Sequence, residues 1–492
     1  VVPKDEPSLN ADTISSGNII ALAWLTPHGS EYDLIYVEKN SEAEHDKSVC
    51  PIVLRHNRLV NPPKQAVLYL SLSEYSSGSW GFRATDRREA SPNRHIVVST
   101  GSGTGFASRF YDSVVVPLLA LFDIKQDRDY TLHTTTSASS VTNLVEEIFL
   151  PAANRGERQS IVLLSGDGGV LDIVNALVTK TRAHDYVQPA ITLLPLGTGN
   201  ATAHSAGLTK NNDTYGLKTW LRGTAAKPLP LFSATFSPGA RYLVNQGRST
   251  APLATDADGR PVTYGAVVLS WALHAGLVAD SDAPEFRKFG RERFTKAAEQ
   301  AMFPADGSAP HVYRGKVSVI PYAHAIAESN SAADSASASG EWRPLSRLPT
   351  GSSPVEHPEP IDRHAYVLVT FNSHLEASFN VSPAAAPLDG ILRIVQFGPM
   401  SGNEVMGLMT KAFQGGAHVA DQRVRYLPVA AVRIEMAEDD AEDKDENGKG
   451  GKGRWRRICV DGNIVVLEKG GWVEVKPWPS AAMEGSIVDL VV

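Results

Sequence analysis

The sequence predicts an α/β domain built on a parallel sheet, a second, mainly antiparallel β domain, and a small β-rich N-terminal region. Three observations carry this. Between residues 91 and 230, apolar runs of strand length alternate with Gly-rich loops and helical patterns, which is the rhythm of a parallel sheet. From residue 231 onward the chain turns to short apolar runs with few helices between them, the pattern of antiparallel strands. Ahead of residue 90 lie alternating stretches set apart by Pro and Gly.

Taken in order, "NIIALAWL" and "QAVLYLSL" read as strands of the N-terminal region, residues 1–90. The α/β domain, 91–230, opens with the strand "HIVVS" ahead of "TGSGTG". A helical stretch from Phe106 to Leu121, a strand near Tyr130 and a helix from Val141 to Leu150 follow. Val162, Leu163 and Leu164 then form a buried strand running into Ser165-Gly166-Asp167-Gly168-Gly169. Val170, Ile173, Val174 and Leu177, at offsets of three, four and seven, give one face of the next helix. The strand "AITLLP" leads into "LGTGNATAHSAGL". In the second domain, 231–492, "YGAVVLSWAL", "YRGKVSVIPY", "HAYVLVTF", "GILRIVQF", "YLPVAAVRIEM" and "NIVVLE" read as strands. Two inserts, 324–360 (Ser/Ala-rich, then Pro-rich) and 437–456 (acidic, then basic), are expected to be disordered.

Composition narrows the function. A formal net charge of −7 argues against a nucleic-acid binder held by global charge. Cys50 and Cys459 are too few and too far apart for a disulfide framework or a Cys-based zinc site, which points to a reducing cytosol. The longest apolar stretch, Ala266 to Ala279, is interrupted by His274 and is shorter than the roughly 20 residues of a spanning helix.

The three Gly-rich loops all fall at the carboxyl ends of strands, where open α/β sheets bind ligands. Glycines there expose backbone N–H groups at a helix start, where an anion such as phosphate is favoured. Asp167 would sit beside it. The plain alternative is a tight βα turn with an Asp near the helix start. No G-x-x-x-x-G-K-[ST] exists in the chain, Phe106 breaks G-x-G-x-x-G, and Ser102 lacks the Gly of a nucleophile elbow. What remains is a set of backbone phosphate cradles with one carboxylate, and phosphoryl transfer asks little more of a protein than that.

These residues resemble the lipid kinases with a diacylglycerol-kinase-type catalytic domain, and within them the sphingosine kinases. The matching stretches are Ser99-Thr100-Gly101-Ser102-Gly103-Thr104-Gly105, Ser165-Gly166-Asp167-Gly168 and Gly197-Thr198-Gly199-Asn200. "GLVADSDAPEFRKFGRERF", residues 276–294, is similar to the family's lipid-recognition stretch, and "ICVDGNIV" to its closing strands. The resemblance implies an ATP- and Mg²⁺-dependent kinase acting on the primary hydroxyl of a sphingoid base, in sphingolipid metabolism, with its active site between the two domains. It implies Asp167 as general base, and Ser99, Gly101, Ser102, Gly103, Gly105, Ser165, Gly166, Gly168, Gly197, Thr198, Gly199, Asn200, Asp461 and Gly462 as nucleotide-binding residues. Arg287 and Arg293 would compensate phosphate charge, while Asp280 and Asp282 would bind the substrate, Asp282 taking its amino and hydroxyl head. The plain alternatives are a helix N-cap before Pro284 for the two Asp and a solvated helix face for the two Arg. A cytoplasmic enzyme touching the membrane peripherally follows, with a lipid as partner and no nucleic acid. The chain departs from the family's pattern at Ser99-Thr100, Thr104, Ala272, Ala275 and Asn463. Diacylglycerol or ceramide as substrate, a soluble nucleotide-cofactor kinase, and a non-catalytic lipid or nucleotide sensor are the rival readings.

Overall fold

The computed structural model describes residues 14–24, 30–44, 46, 48–70, 93–103, 105–210, 212–222, 225–322, 340–345, 361–438, 453–478 and 486–492. Most of the two expected inserts, and Thr104, lie outside them. The chain forms two compact units, Val1–Leu229 with Ser486–Val492, and Pro230–Gly485.

The first unit begins with an antiparallel sheet of β1 (Ile19–Trp24), β2 (Glu31–Lys39) and β3 (Ile52–Val60). Here "QAVLYLSL" corrects the strand expectation, because Lys64–Leu70 is a helix, α1. Pro62 and Pro63 stand just before it, ending the strand and presetting φ for a helical first turn, and the Val67 N–H closes that turn on the Pro63 carbonyl. The parallel strands are β4 (Asn93–Val98), β5 (Thr131–Thr134), β6 (Gln159–Ser165) and β7 (Ala190–Pro195). Every residue of β6 is buried, as its continuous apolar run requires of a central parallel strand. The crossovers are α2 (Ala107–Phe110) and α3 (Val116–Leu121), made continuous by a π turn, then α4 (Ser140–Leu144) and α5 (Leu150–Asn154), joined likewise. α6 (Asp167–Val178), α7 (Ala201–Ser205) and α8 (Leu217–Arg222) follow, then the edge strand β8 (Ala226–Pro228). Ile20, Ile35 and Val37 pack in one cluster with Phe106, Phe110 and Val114, so the N-terminal sheet shares its core with the α/β part. The chain's last strand, Asp489–Val491, also returns here, parallel to β7 and antiparallel to β8. Residues 486–492, expected in the second domain, therefore complete the first.

The second unit is a 15-stranded antiparallel sheet. It runs through β9 (Leu231–Phe236), β10 (Arg241–Val244), β11 (Ser249–Pro252), β12 (Ala254–Thr255), β13 (Pro261–Gly265) and β14 (Val268–Ala272). The helices α9 (Leu273–Ser281), α10 (Pro284–Arg287) and α11 (Arg293–Met302) interrupt the strands. Next come β15 (Tyr313–Pro321), β16 (Arg343–Pro344), β17 (Arg363–His364) and β18 (Tyr366–Thr370), with a small separate hairpin of β19 (His374–Glu376) and β20 (Phe379–Asn380). β21 (Leu392–Phe397) precedes α12 (Gly402–Phe413), whose Ser401 and Glu404 form a capping box. β22 (Val424–Met436), β23 (Arg457–Val460), β24 (Asn463–Val466) and β25 (Trp472–Trp478) close the unit. Two described pieces of the expected inserts are ordered. β16 pairs with β15 and places Leu345 in the core, and Arg454–Arg456 form a 3₁₀ turn in which the buried Arg456 Nε donates to the Leu467 carbonyl at 3.1 Å.

Candidate active site

The three Gly-rich loops of the first unit meet backbone to backbone. A Cβ on Gly166 would lie 2.7 Å from the Gly197 Cα, one on Gly197 would lie 2.4 Å from the Gly166 Cα, and one on Gly103 would lie 2.6 Å from the Leu196 carbonyl oxygen. No side chain fits at those contacts, which is why the loops carry glycine there. Polar bonds lock the approach. The Gly166 N–H donates to Ser102 Oγ at 2.9 Å, the Ser99 N–H to the Leu164 carbonyl at 3.1 Å, and the Leu196 N–H to the Ser165 carbonyl at 2.9 Å. Ser165 Oγ reaches Ser102 Oγ at 3.5 Å, and the Gly105 N–H turns back onto the Ser102 carbonyl at 2.9 Å. Asn200, at φ +55°, accepts the Gly197 N–H at 2.9 Å and donates to the carbonyls of Pro195 and Gly197. Gly101 and Gly168 face open space, and Thr198 is exposed at the loop tip beside Gly199.

Asp167 is the first residue of α6, with Gly166 as its N-cap, where the helix dipole favours an anion. Its side chain bonds across to the next loop. One carboxylate oxygen accepts the Ala201 N–H at 2.8 Å and the other the Thr202 N–H at 2.9 Å, so Asp167 caps α7 as well. A carboxylate has about four lone-pair sites, so two remain for a ligand.

In the second unit the expected site residues separate. Asp282, at the C-terminus of α9, accepts from Arg287 Nε at 3.0 Å and Arg293 Nη1 at 3.5 Å, both at Oδ1. Among the described residues no bond engages its Oδ2. Asp280 instead bonds Arg457 Nη1 at 2.6 Å and Arg454 Nη2 at 3.2 Å. The N-cap alternative for both acids is excluded, because Ala283 is the N-cap of α10 and no side chain bonds there. Asp461, expected at the nucleotide, has a structural task. Its carboxylate is surrounded by the N–H groups of Ala266, Val267 and Val268, at 2.6 Å, 3.1 Å and 2.5 Å, and so serves the fold. Asp461 and Gly462, both at positive φ, make the two-residue turn between β23 and β24, a type I′ arrangement for which Asp-Gly is favoured.

Sequence reasoning missed several groups. Thr135, after β5, holds the first loop by accepting the Thr100 N–H at 3.0 Å and the Thr100 hydroxyl on its carbonyl at 2.7 Å. Arg454, at the end of the insert expected to be disordered, and Arg457, just past it, line a cavity with Asp280, His311, Tyr313 and Trp455. Burial raises the Tyr313 hydroxyl pKa there. The Trp inside Arg454-Trp455-Arg456-Arg457 was the available signal, since a solvated run has no use for a large apolar ring.

Residues 94–228 match the model of the diacylglycerol kinase catalytic domain. Human "Sphingosine kinase 1" is 23% identical over 398 residues, covering 76% of this chain and 86% of its own length. "Sphingosine kinase 2" of Arabidopsis thaliana is 26% identical over 217 residues, 43% of this chain and 38% of that protein. A diacylglycerol kinase structure from Bacillus anthracis str. Sterne aligns with 81% of this chain at 14% identity and a TM-score of 0.45. The three joined loops thus lie inside the segment, residues 94–228, that matches the diacylglycerol kinase catalytic domain, and most of the chain is similar to sphingosine kinases, which makes it a lipid kinase.

Proposed function

We propose that this enzyme transfers the γ-phosphoryl group of ATP to the primary hydroxyl of a sphingoid long-chain base. The observation that carries the reading is the junction of the loops at Gly103, Gly166 and Gly197, a backbone cradle with the carboxylate of Asp167 at its edge. Gly101 and Gly168, open where a side chain would stand, admit phosphate oxygens to the backbone. ATP therefore fits the residues present. Mg²⁺ would supply charge neutralisation to its phosphates.

Asp167 turns its two remaining lone-pair sites to the acceptor hydroxyl and takes its proton. Arg287 and Arg293, held by Asp282 Oδ1, compensate the transferred charge, and Oδ2 of the same carboxylate receives the amine of the substrate. A diacylglycerol has no amine to offer there. Among the described residues no helix is long and apolar enough to cross a membrane. A cytoplasmic enzyme that meets its substrate at the membrane surface is the setting this reading asks for.

The test is transfer of labelled phosphate from ATP to sphingosine, dihydrosphingosine, ceramide and diacylglycerol, with Asp282→Asn run beside the parent. Product from the free bases alone, reduced at least tenfold by Asp282→Asn, is expected. Product from ceramide or diacylglycerol that survives Asp282→Asn discards the head-group assignment and keeps the kinase. No product from any lipid, with no thermal stabilisation by ATP-Mg²⁺, favours the sensor.

A further inference from the structure

Asp280 on α9 and Asp282 at its C-cap stand two residues apart, and side chains at that spacing do not share a helix face. Asp282 turns to Arg287 and Arg293. Asp280 lies instead on the face of Gly276 and Leu273, four and seven residues before it, and that face borders a cavity of about 350 Å³ inside the second unit. The volume is within the range of small-molecule sites.

The cavity lining is of two chemical kinds. Leu273, Met302, Val405 and Ala365 are apolar. Arg454 and Arg457 are charged and share the single carboxylate of Asp280. Trp455 stacks on His311 at 3.8 Å with the rings 10° from parallel, and the Arg454 guanidinium lies 4.8 Å from the Trp455 ring centroid, so the polar part is built from packed groups. Of the other acids nearby, Asp306 is exposed and accepts the Ser308 N–H at 2.9 Å, and the buried Glu438, which is not part of the cavity lining, accepts the Arg314 N–H at 2.6 Å and faces His311 at 3.4 Å, both at Oε1. Among the described residues the buried Nε–H of Arg457 has no acceptor, so its guanidinium keeps bonding capacity beyond the bond to Asp280.

We propose that this cavity binds a single-chain anionic amphiphile, its phosphate monoester or carboxylate head accepting from Arg457 and Arg454 and its chain lying against Leu273, Met302 and Val405. Guanidinium forks match both head groups. A cationic head is disfavoured, because Arg457 and Arg454 already engage both oxygens of Asp280 and leave an amine no open carboxylate oxygen, unlike Oδ2 of Asp282. The site is separate from the Asp282 carboxylate that the proposed phosphoryl transfer uses, and its occupancy is read without any turnover.

Calorimetric titration of the whole chain with decyl phosphate, decanoate, decylamine and decanol tests it. The two anions are expected to bind and the amine and alcohol to bind at least tenfold more weakly. Tighter binding of decyl phosphate assigns the phosphate monoester, and tighter decanoate the carboxylate. Arg454→Gln, at a half-exposed side chain, is expected to weaken the anions about tenfold, the loss of one charged hydrogen bond. Ala301→Phe, which fills the cavity from α11, is expected to abolish binding while thermal unfolding shows a folded chain. Anion binding that survives both substitutions, or amine binding as tight as that of the anions, overturns the proposal.

Discussion

Replacing Asp167 by Asn tests its structural role and its proposed catalytic role separately. The carboxylate accepts two backbone N–H groups of the first turn of α7, at 2.8 Å and 2.9 Å. An amide has one acceptor oxygen and sets an NH₂ donor against the other N–H, so one of those bonds is lost. A hydrogen bond to a charged group contributes about 1.5–3 kcal/mol, and the anion at the start of α6 about 0.3–1 kcal/mol more. Asp167→Asn should therefore destabilise the first unit by about 2–4 kcal/mol, which for a unit of this size lowers its unfolding midpoint by on the order of 10 °C. Calorimetric unfolding reads that loss, and turnover measured well below both midpoints reads the chemistry, where removal of a general base costs about 10²–10⁴-fold. An unchanged midpoint would refute the capping geometry. A lowered midpoint with turnover within a few-fold of the parent would leave Asp167 as a positioning residue and place proton acceptance elsewhere.

The glycines divide by the space around them. Gly166→Ala should force the second and third loops apart, lowering stability by more than about 2 kcal/mol, whereas Gly168→Ala, open and helical, should keep or slightly raise stability while weakening ATP binding; equal melting points for the two would contradict the close approach. Asp461→Ala removes the acceptor of three backbone N–H groups and should cost about 3 kcal/mol or more in urea unfolding, with Asp461→Asn in between. Burial lowers His95, His274 and His364 to about 4. In the unfolded chain these groups take up protons near pH 6.5, before the folded chain does. Stability should thus be full above about pH 6.5 and fall as pH drops toward about 4, and a midpoint that stays flat from pH 7 to pH 4.5 would show these histidines to be solvated.

Much of the fold was legible because its signals are local. β6 and β7 follow from short apolar runs bounded by Gly-rich turns, and the buried face of α6 from the spacing of Val170, Ile173, Val174 and Leu177. What escaped is what local pattern does not encode. The three-residue strand Asp489–Val491 is too short to announce a partner, and its pairing with β7 reaches back about 300 residues. α1 escaped for a different reason. Its residues alternate like a strand, and Pro62-Pro63 decides the matter by ending β3 and starting a helix.

The site shows the same division one level up. The glycine loops could be read from sequence because only glycine tolerates their approach, but a carboxylate's partner is a matter of where the chain returns. Asp167 finds donors 34 and 35 residues on, and Asp461 finds them more than 190 residues back. Both acids bond backbone N–H groups, so each fixes one loop against another. The pair Asp280 and Asp282 was open to a closer reading. With α9 recognised as a helix, an offset of two residues places their side chains about 200° apart around its axis, which already denies them a common ligand. Their arginines confirm the phase, since Asp282 takes Arg287 and Arg293 from the next two helices while Asp280 takes Arg454 and Arg457 from the far end of the chain. Two acids so placed answer to different partners, and the cavity beside Asp280 has to be accounted for on its own terms.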